Sequence, residues 1–271
     1  MSINYIKLAE LSNIHIIDGD RGKNYPSTGE LMPSGFCLFL NAGNVTDKGF
    51  VFSALKYITK QKDELLRNGK LERNDIILTT RGTVGNIAIY DKSIPFDHVR
   101  INSGMVIIRV NDSKIIPQYL YNILRSSNVQ NQINSLKTGS AQPQLPISLI
   151  KEIKIPIIDI KEQKAIADVL SSFDDKIELN NKIIKNLEEQ AQSLYKHWFV
   201  DFEFPNKEGK PYKSSSGKFK ESELGLIPEG WDCKNIGDVC TRLTKRVKDG
   251  KYEVLSAVNT GELVLSSDYF N

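Results

Sequence analysis

Between Ile166 and Trp198 the chain places apolar or small residues at alternating intervals of four and three: Ile166, Leu170, Phe173, Ile177, Asn180, Ile184, Leu187, Ala191, Leu194 and Trp198. Asn180 is the one polar member. This spacing predicts a continuous helix whose apolar stripe faces another helix, as in a coiled coil. At 1.5 Å per residue such a helix is about 50 Å long, too long and too one-sided for an ordinary core helix. A partner helix has to cover the stripe. Asp159 and Glu162 stand at the interval of a capping box that starts it. Asn180 either helps choose register and orientation in the seam, at some cost in stability, or lies at a solvent-exposed edge.

Before this helix the pattern changes period. Phe36–Leu40, Ile76–Thr80, Asn86–Tyr90 and Met105–Val110 are short runs rich in strand-forming residues, separated by Gly, Asn and Asp turns. Lys56–Arg67 and Pro117–Leu136 are predicted helices, with Pro117 suited to a first helical position. Residues 1–155 therefore read as an α/β (α+β) domain of mixed strands and helices, closed by Ile155-Pro156, and residues 156–204 as the long coiled-coil helix. Residues 205–227 are rich in Lys, Gly, Ser and Pro and read as an exposed linker; Lys207, Lys210, Lys213, Lys218 and Lys220 fit a solvated connection or a position near DNA backbone.

From about residue 228 the sequence begins again. Leu8 and Leu11 correspond to Ile236 and Val239, Leu40-Asn41-Ala42-Gly43-Asn44 resembles Leu255-Ser256-Ala257-Val258-Asn259, and Gly49 with Tyr57 resembles Gly261 with Tyr269. This is a degenerate internal repeat. Residues 228–271 read as the truncated start of a second copy.

Composition excludes more than it assigns. The 271 residues carry a net charge of +3, too small to diagnose a nucleic-acid binder on its own. The chain has no apolar window long enough for a membrane span and no signal-peptide pattern, which places it in the cytoplasm without a membrane partner. Cys37, Cys233 and Cys240 are expected as reduced thiols rather than a disulfide framework. His15, His98 and His197 lie far apart without ligand-spaced neighbours, so no metal site is expected. No G-x-x-x-x-G-K-S/T phosphate loop and no Pro-Pro dipeptide of the kind found in base-flipping adenine methyltransferases is present. Asp159 with Glu162-Gln163-Lys164 is explained by helix capping rather than by a nuclease centre. The chain is expected to be no enzyme by itself.

Four polar loops remain. Arg21, Lys23, Asn24 and Tyr25 combine cations, an amide and a ring around Gly22; Thr80, Arg81 and Thr83 lie in a glycine-rich stretch between two strands. Arg100, Asn102 and Ser103 precede a strand, and Lys137, Ser140 and Gln142 form the fourth group. These residue types suit phosphate and base-edge contacts, and they equally suit solvated turns.

Ile155-Pro156 with Glu162-Gln163, the heptads, NLEEQAQSLYKHWFVDFEFP and ESELGLIPEGW resemble the central region of specificity subunits of type I restriction-modification systems. Gly22-Lys23 with Tyr25-Pro26, Arg81-Gly82-Thr83-Val84-Gly85 and Gly139-Ser140 with Gln142 resemble that family's target-recognition domains. The resemblance implies a chain that reads half of a bipartite double-stranded DNA site and docks methyltransferase subunits, with a motor and restriction subunit joining the complex. S-adenosylmethionine, ATP and Mg then belong to the partner subunits and no cofactor to this chain. With one complete recognition domain and one helix, the chain is a half-length form, expected to pair antiparallel with a second copy or another specificity fragment. Two other readings stay open: a stand-alone dimeric DNA-binding regulator, and an inhibitory or structural partner of the methyltransferase that reads no DNA.

Overall fold

The computed structural model describes residues 4–139, 142–241, 255–257 and 263–265. They form two compact units, Met1–Ile183 and Ile184–Asn271, which divide inside the long helix rather than at residue 155.

The first unit is built on a four-stranded antiparallel sheet in the order Ile14–Asp18, Met105–Val110, Asp75–Thr79, Ile87–Tyr90. Residues Met105–Ile108 of its inner strand are apolar without alternation because both faces are covered there. Val106 and Ile108 join Ile76, Leu78 and Ile87 in a core with Tyr119, Leu120, Leu124, Val129 and Ile133 of the helices Pro117–Arg125 and Ser127–Leu136. Met105 and Ile107 point the other way, into a core with Ile77, Ala88 and Tyr90 and with Leu38, Leu40, Val99 and Ile101 of a second sheet. That sheet runs Tyr57–Ile58, Cys37–Leu40, Val99–Ile101, its last pair parallel. The first strand, Asn4–Lys7, pairs antiparallel with the last, Lys154–Ile157. Leu8 then donates its N–H to Ile153 O at 2.9 Å and Ala9 to Lys151 O at 3.0 Å.

Two predicted helices are shorter than their apolar periods suggest. Lys56–Arg67 contains only the helix Lys60–Leu65, because Tyr57 and Ile58 are taken by the small sheet and Thr59 caps the helix through the Lys62 N–H. Pro117–Leu136 breaks at Ser126, whose backbone is extended. Its hydroxyl donates to Ile123 O at 2.6 Å and accepts the Val129 N–H, ending one helix and starting the next.

The long helix runs Ile160–Tyr195. Asp159 caps it through the Lys161 N–H at 2.8 Å. Gln163, fully buried, ties the helix to the domain: its Oε1 accepts the Ile116 N–H at 3.0 Å, and its Nε2 donates to Lys114 O at 2.8 Å and Ile158 O at 3.0 Å. Removing these partners strands groups worth about 1–3 kcal/mol each when buried. Gln163→Ala is therefore expected to lower the unfolding free energy by about 1–3 kcal/mol, read as a shifted urea midpoint; an unshifted midpoint would show the junction to be dispensable.

Ala167 is the other buried residue of this helix. Ile166, Leu170, Phe173, Ile177, Ile184, Leu187 and Leu194 stand 40–60% exposed, and Asn180 and Ala191 are exposed with them. Val169 and Ile183 widen the stripe on one side. Trp198 leaves the heptad pattern, since Lys196–Val200 winds as a wider π turn in which its ring is half-buried near Phe199.

In the second unit the stretch expected as an exposed linker is folded. Phe219–Ser222 and Gly225–Pro228 pair as a hairpin. Phe204 stacks on Tyr212 at 4.7 Å and on Trp231 at 5.3 Å, and Phe202 meets Phe219 at 5.7 Å and Trp231 at 5.6 Å. The rings are spaced singly among Lys, Gly and Ser, so local composition hides them. Lys220 pairs with Asp232 at 2.7 Å and Lys210 with Glu208 at 3.0 Å.

The segments paired by the proposed repeat can be compared only in part. Leu8–Glu10 and Ile236–Val239 are both single helical turns with apolar residues three apart, buried at Leu8 and Leu11 and exposed at Ile236 and Val239. Leu255–Ala257 pairs with Leu263–Leu265. The repeat positions Val258, Asn259, Gly261 and Tyr269 lie outside the described residues. Among the described residues no helix is long and apolar enough to cross a membrane, and no three His, Cys, Asp or Glu side chains gather as a metal-ligand set.

Candidate nucleic-acid interface

The strands Ile14–Asp18, Cys37–Leu40, Asp75–Thr79 and Val99–Ile101 all end at one edge of the two sheets, where Ile87 and Met105 begin. The loops there are laced together by backbone bonds. Asn102 accepts the Gly104 N–H at 2.9 Å on its side chain and donates its own N–H to Leu40 O at 2.9 Å. Gly104 O takes the N–H groups of Thr80 at 2.8 Å and Arg81 at 3.1 Å, and Thr80 O takes that of Leu145 at 3.0 Å. Thr138 and Gln144 exchange bonds at 2.9 and 2.8 Å. Arg21 Nη2 reaches Asp18 at 3.0 Å and Ser103 O at 3.2 Å, joining the first loop to the third. All four predicted loops thus meet on one edge.

The Thr80–Asn86 loop is held in a fixed shape. Gly82 and Gly85 have φ of +74° and +105°, a region in which other residues are strained. Thr79 Oγ1 donates to Thr83 O and accepts the Asn86 N–H, Asn86 Nδ2 donates to Val45 O at 2.9 Å, and Thr83 Oγ1 reaches Ala42 O at 3.4 Å. Arg81 projects from this loop half-exposed. Its guanidinium is the one arginine group that makes no hydrogen bond, ion pair or ring contact among the described residues.

Two predicted site residues are inside the protein instead. Arg100 is buried and cannot face DNA in this fold: its guanidinium pairs with Asp63 and donates to Asn68 O at 2.8 Å, Asp63 O at 2.8 Å and Leu66 O at 3.1 Å. Burial pushes the Asp63 carboxyl up, but hydrogen bonds from Lys70 and Arg100 outweigh it and hold the group below its ordinary value. Burial first, and then Asp63, pushes the neighbouring Cys37 thiol up to about 12, so it packs as an inert hydrophobe. Thr80 is also buried, and its Oγ1 has no partner among the described residues.

Other predicted residues shape the edge rather than project from it. Asn24 donates to Leu65 O at 3.2 Å, Tyr25 packs edge-on against Phe39 at 5.7 Å, and Asn102 holds its turn. Lys23, Thr83 and Gln142 are exposed, Lys137 and Ser103 half-exposed, and Ser140 lies outside the described residues. Asn86, at the end of the glycine-rich stretch, and Gln144, which follows Pro143 and carries no sequence signal of its own, pin the two loops beside Arg81.

Residues 3–189 match the family model of the type I restriction modification DNA specificity domain. The chain belongs to this family. The specificity domain's match covers the first unit with its loop edge and continues into the long helix. The chain is 33% identical over 167 residues to the type I restriction enzyme MjaIX specificity subunit of Methanocaldococcus jannaschii, an alignment covering 62% of this chain and 36% of that one. It is 27% identical over 171 residues to the HindI specificity subunit of Haemophilus influenzae, covering 61% and 36%. The fold is shared with the crystallised type I restriction-modification S subunit from M. genitalium, with a TM-score of 0.53 and 20% identity over 73% of this chain and 46% of that one. The specificity chain described here thus matches between about a third and about half of the length of these relatives.

Proposed function

We propose that the chain is a non-catalytic recognition component of a type I restriction-modification complex, reading one half of a bipartite duplex site with its loop edge. Arg81 carries the reading. A guanidinium left unneutralised, on a loop fixed at both ends by glycine turns and hydrogen bonds, is suited to a bidentate contact with guanine O6 and N7 in the major groove. Arg21, Lys23, Thr83, Ser103, Lys137 and Gln142 surround it with polar groups for phosphate and base edges. Methyl transfer from S-adenosylmethionine and ATP- and Mg-dependent cleavage fall to partner subunits in the cytoplasm.

The exposed stripe of the long helix takes a second copy or another specificity fragment, and the remaining faces take methyltransferase subunits. An antiparallel pair centred on Lys182 sets Leu170 against Leu194, Phe173 against Ala191, Ile177 against Leu187 and Asn180 against Ile184. Phe173 then fills the room that Ala191 leaves. Two identical chains so joined present two loop edges about a two-fold axis, and the site they read is symmetric and interrupted.

The test is methylome sequencing of cells that hold the methyltransferase with and without this chain. A bipartite, symmetric modified motif is expected only when the chain is present. Arg81→Ala is expected to erase the motif and weaken specific binding by about 1–3 kcal/mol. Identical methylomes in the presence and absence of the chain would overturn the proposal.

A further inference from the structure

Beside the loop edge lies a cleft of about 200 Å³ lined by Asp20, Gly22, Lys23, Asn24 and Arg67. Its two walls, residues 20–24 and 65–69, are fastened to each other. Asp20, 5% exposed, accepts the N–H groups of Gly22 at 2.6 Å, Arg67 at 2.7 Å and Asn68 at 3.4 Å, while Asn24 donates to Leu65 O at 3.2 Å. The carboxylate is therefore spent on backbone donors of both walls, and Arg67 Nε approaches it only to 4.0 Å.

Two cations are left at the rim. Lys23 is exposed and has no ion pair or hydrogen bond among the described residues. Arg67 is 77% exposed, and its guanidinium passes close over Gly22: a Cβ added there would lie 2.6 Å from Nη2. The absent side chain at Gly22 is what admits the guanidinium. The lining offers no ring on which a base would stack; with the Asp20 carboxylate held by backbone N–H groups and two cations at the rim, the cleft suits an anion. It adjoins the base-reading loops, since Gly19 backs onto Asn102 and Arg21 bonds Ser103 O.

We infer that this cleft seats a backbone phosphate of the DNA duplex between Lys23 and Arg67, fixing the register in which the neighbouring loops meet base edges. The inference rests on the DNA-recognition reading above. Arg67 belongs to none of the four loops that the sequence singles out, and it is the new contact.

Binding of the full chain to a duplex carrying its methylated motif and to a random duplex, measured across a salt series, tests it. Each phosphate contact contributes about 0.9 to the slope of log affinity against log salt. Lys23→Ala and Arg67→Ala are each expected to reduce the slope by about 0.9, and together by about 1.8, equally on both duplexes. Arg67→Lys keeps the charge and restores the slope. Gly22→Ala removes no charge; its Cβ would press on the flexible Arg67 tip at 2.6 Å and meet the buried Asp20 Oδ1 at 3.0 Å, so an unchanged urea midpoint is the check that its fold is kept. By nudging the guanidinium while keeping its charge it is expected to change the slope less than Arg67→Ala does. If the parent binds DNA and Lys23→Ala, Arg67→Ala and the double variant all keep its slope, the cleft is no phosphate seat and the recognition reading stands. A parent that binds neither duplex, with or without methyltransferase subunits, overturns both.

Discussion

Replacing Ile177 and Leu187 together by Asp is expected to abolish self-association while leaving the N-terminal domain folded. In the antiparallel register these two positions face each other, so the change puts aspartate against aspartate in two layers of the seam. Each buried apolar side chain of this size contributes about 1.5–3 kcal/mol, and here four such side chains per pair are exchanged for charges that repel. Neither residue touches the buried attachment of the helix at Gln163 and Ala167. Sedimentation velocity over a concentration series decides the matter. A parent that dimerises and a variant that stays monomeric are expected, with loss of methylation in cells. A parent that remains monomeric throughout and sediments like the variant would refute the homodimer and leave the pairing with another specificity fragment to carry the function.

Asp63→Ala is the second change with a large expected effect, at about 3–5 kcal/mol of lost stability. The carboxylate is buried with Arg100 and receives Lys70 at 2.6 Å, so its removal leaves the Arg100 charge inside the domain without a counter-ion. The carbonyls of Asn68, Asp63 and Leu66 keep the guanidinium in place but do not neutralise it. The same pair gives a pH dependence of definite sign. Asp63 titrates below its unfolded value in the native state, so its contribution is complete above the unfolded carboxylate pKa of about 3.9 and is lost as pH falls through the lower folded value. Urea unfolding of parent and variant is therefore expected to differ most near neutral pH and to converge in acid. Equal midpoints at pH 7 would show that the pair adds no net stability.

Where periodicity met little competition, the sequence was a sufficient guide. Met105–Val110 is a strand over the predicted residues, and Ile166–Leu194 forms one helix with its stripe outward. The failures came where tertiary partners reassign a local preference. Tyr57 and Ile58 fit a helical run but are claimed by Cys37–Leu40, and Ser126 interrupts an apolar series that would otherwise continue. In the candidate site, Gly82 and Gly85 were readable as turn residues, and Arg81 as a donor between them. Arg100 was misread because a cation beside Asn102 and Ser103 looks the same in sequence whether its partner is a phosphate or Asp63, 37 residues away. Arg67 is not singled out in the sequence for the opposite reason: its place at the cleft rim appears only when Gly22, 45 positions earlier, is brought beneath it.

The pairing of Asn4–Lys7 with Lys154–Ile157 brings the two ends of the N-terminal domain side by side. Everything between them, including every loop of the recognition edge, hangs from one two-stranded clasp, as in domains that tolerate insertion into a host chain. Genetic exchange with crossovers in these two short stretches replaces the whole set of loops in one event, provided that the incoming segment keeps the clasp and the contacts made by Leu8 and Gln163. The long helix is then inherited unchanged. On the proposed recognition reading, such an exchange would swap the reading loops as one changes a cartridge and leave the rest of the chain as it was.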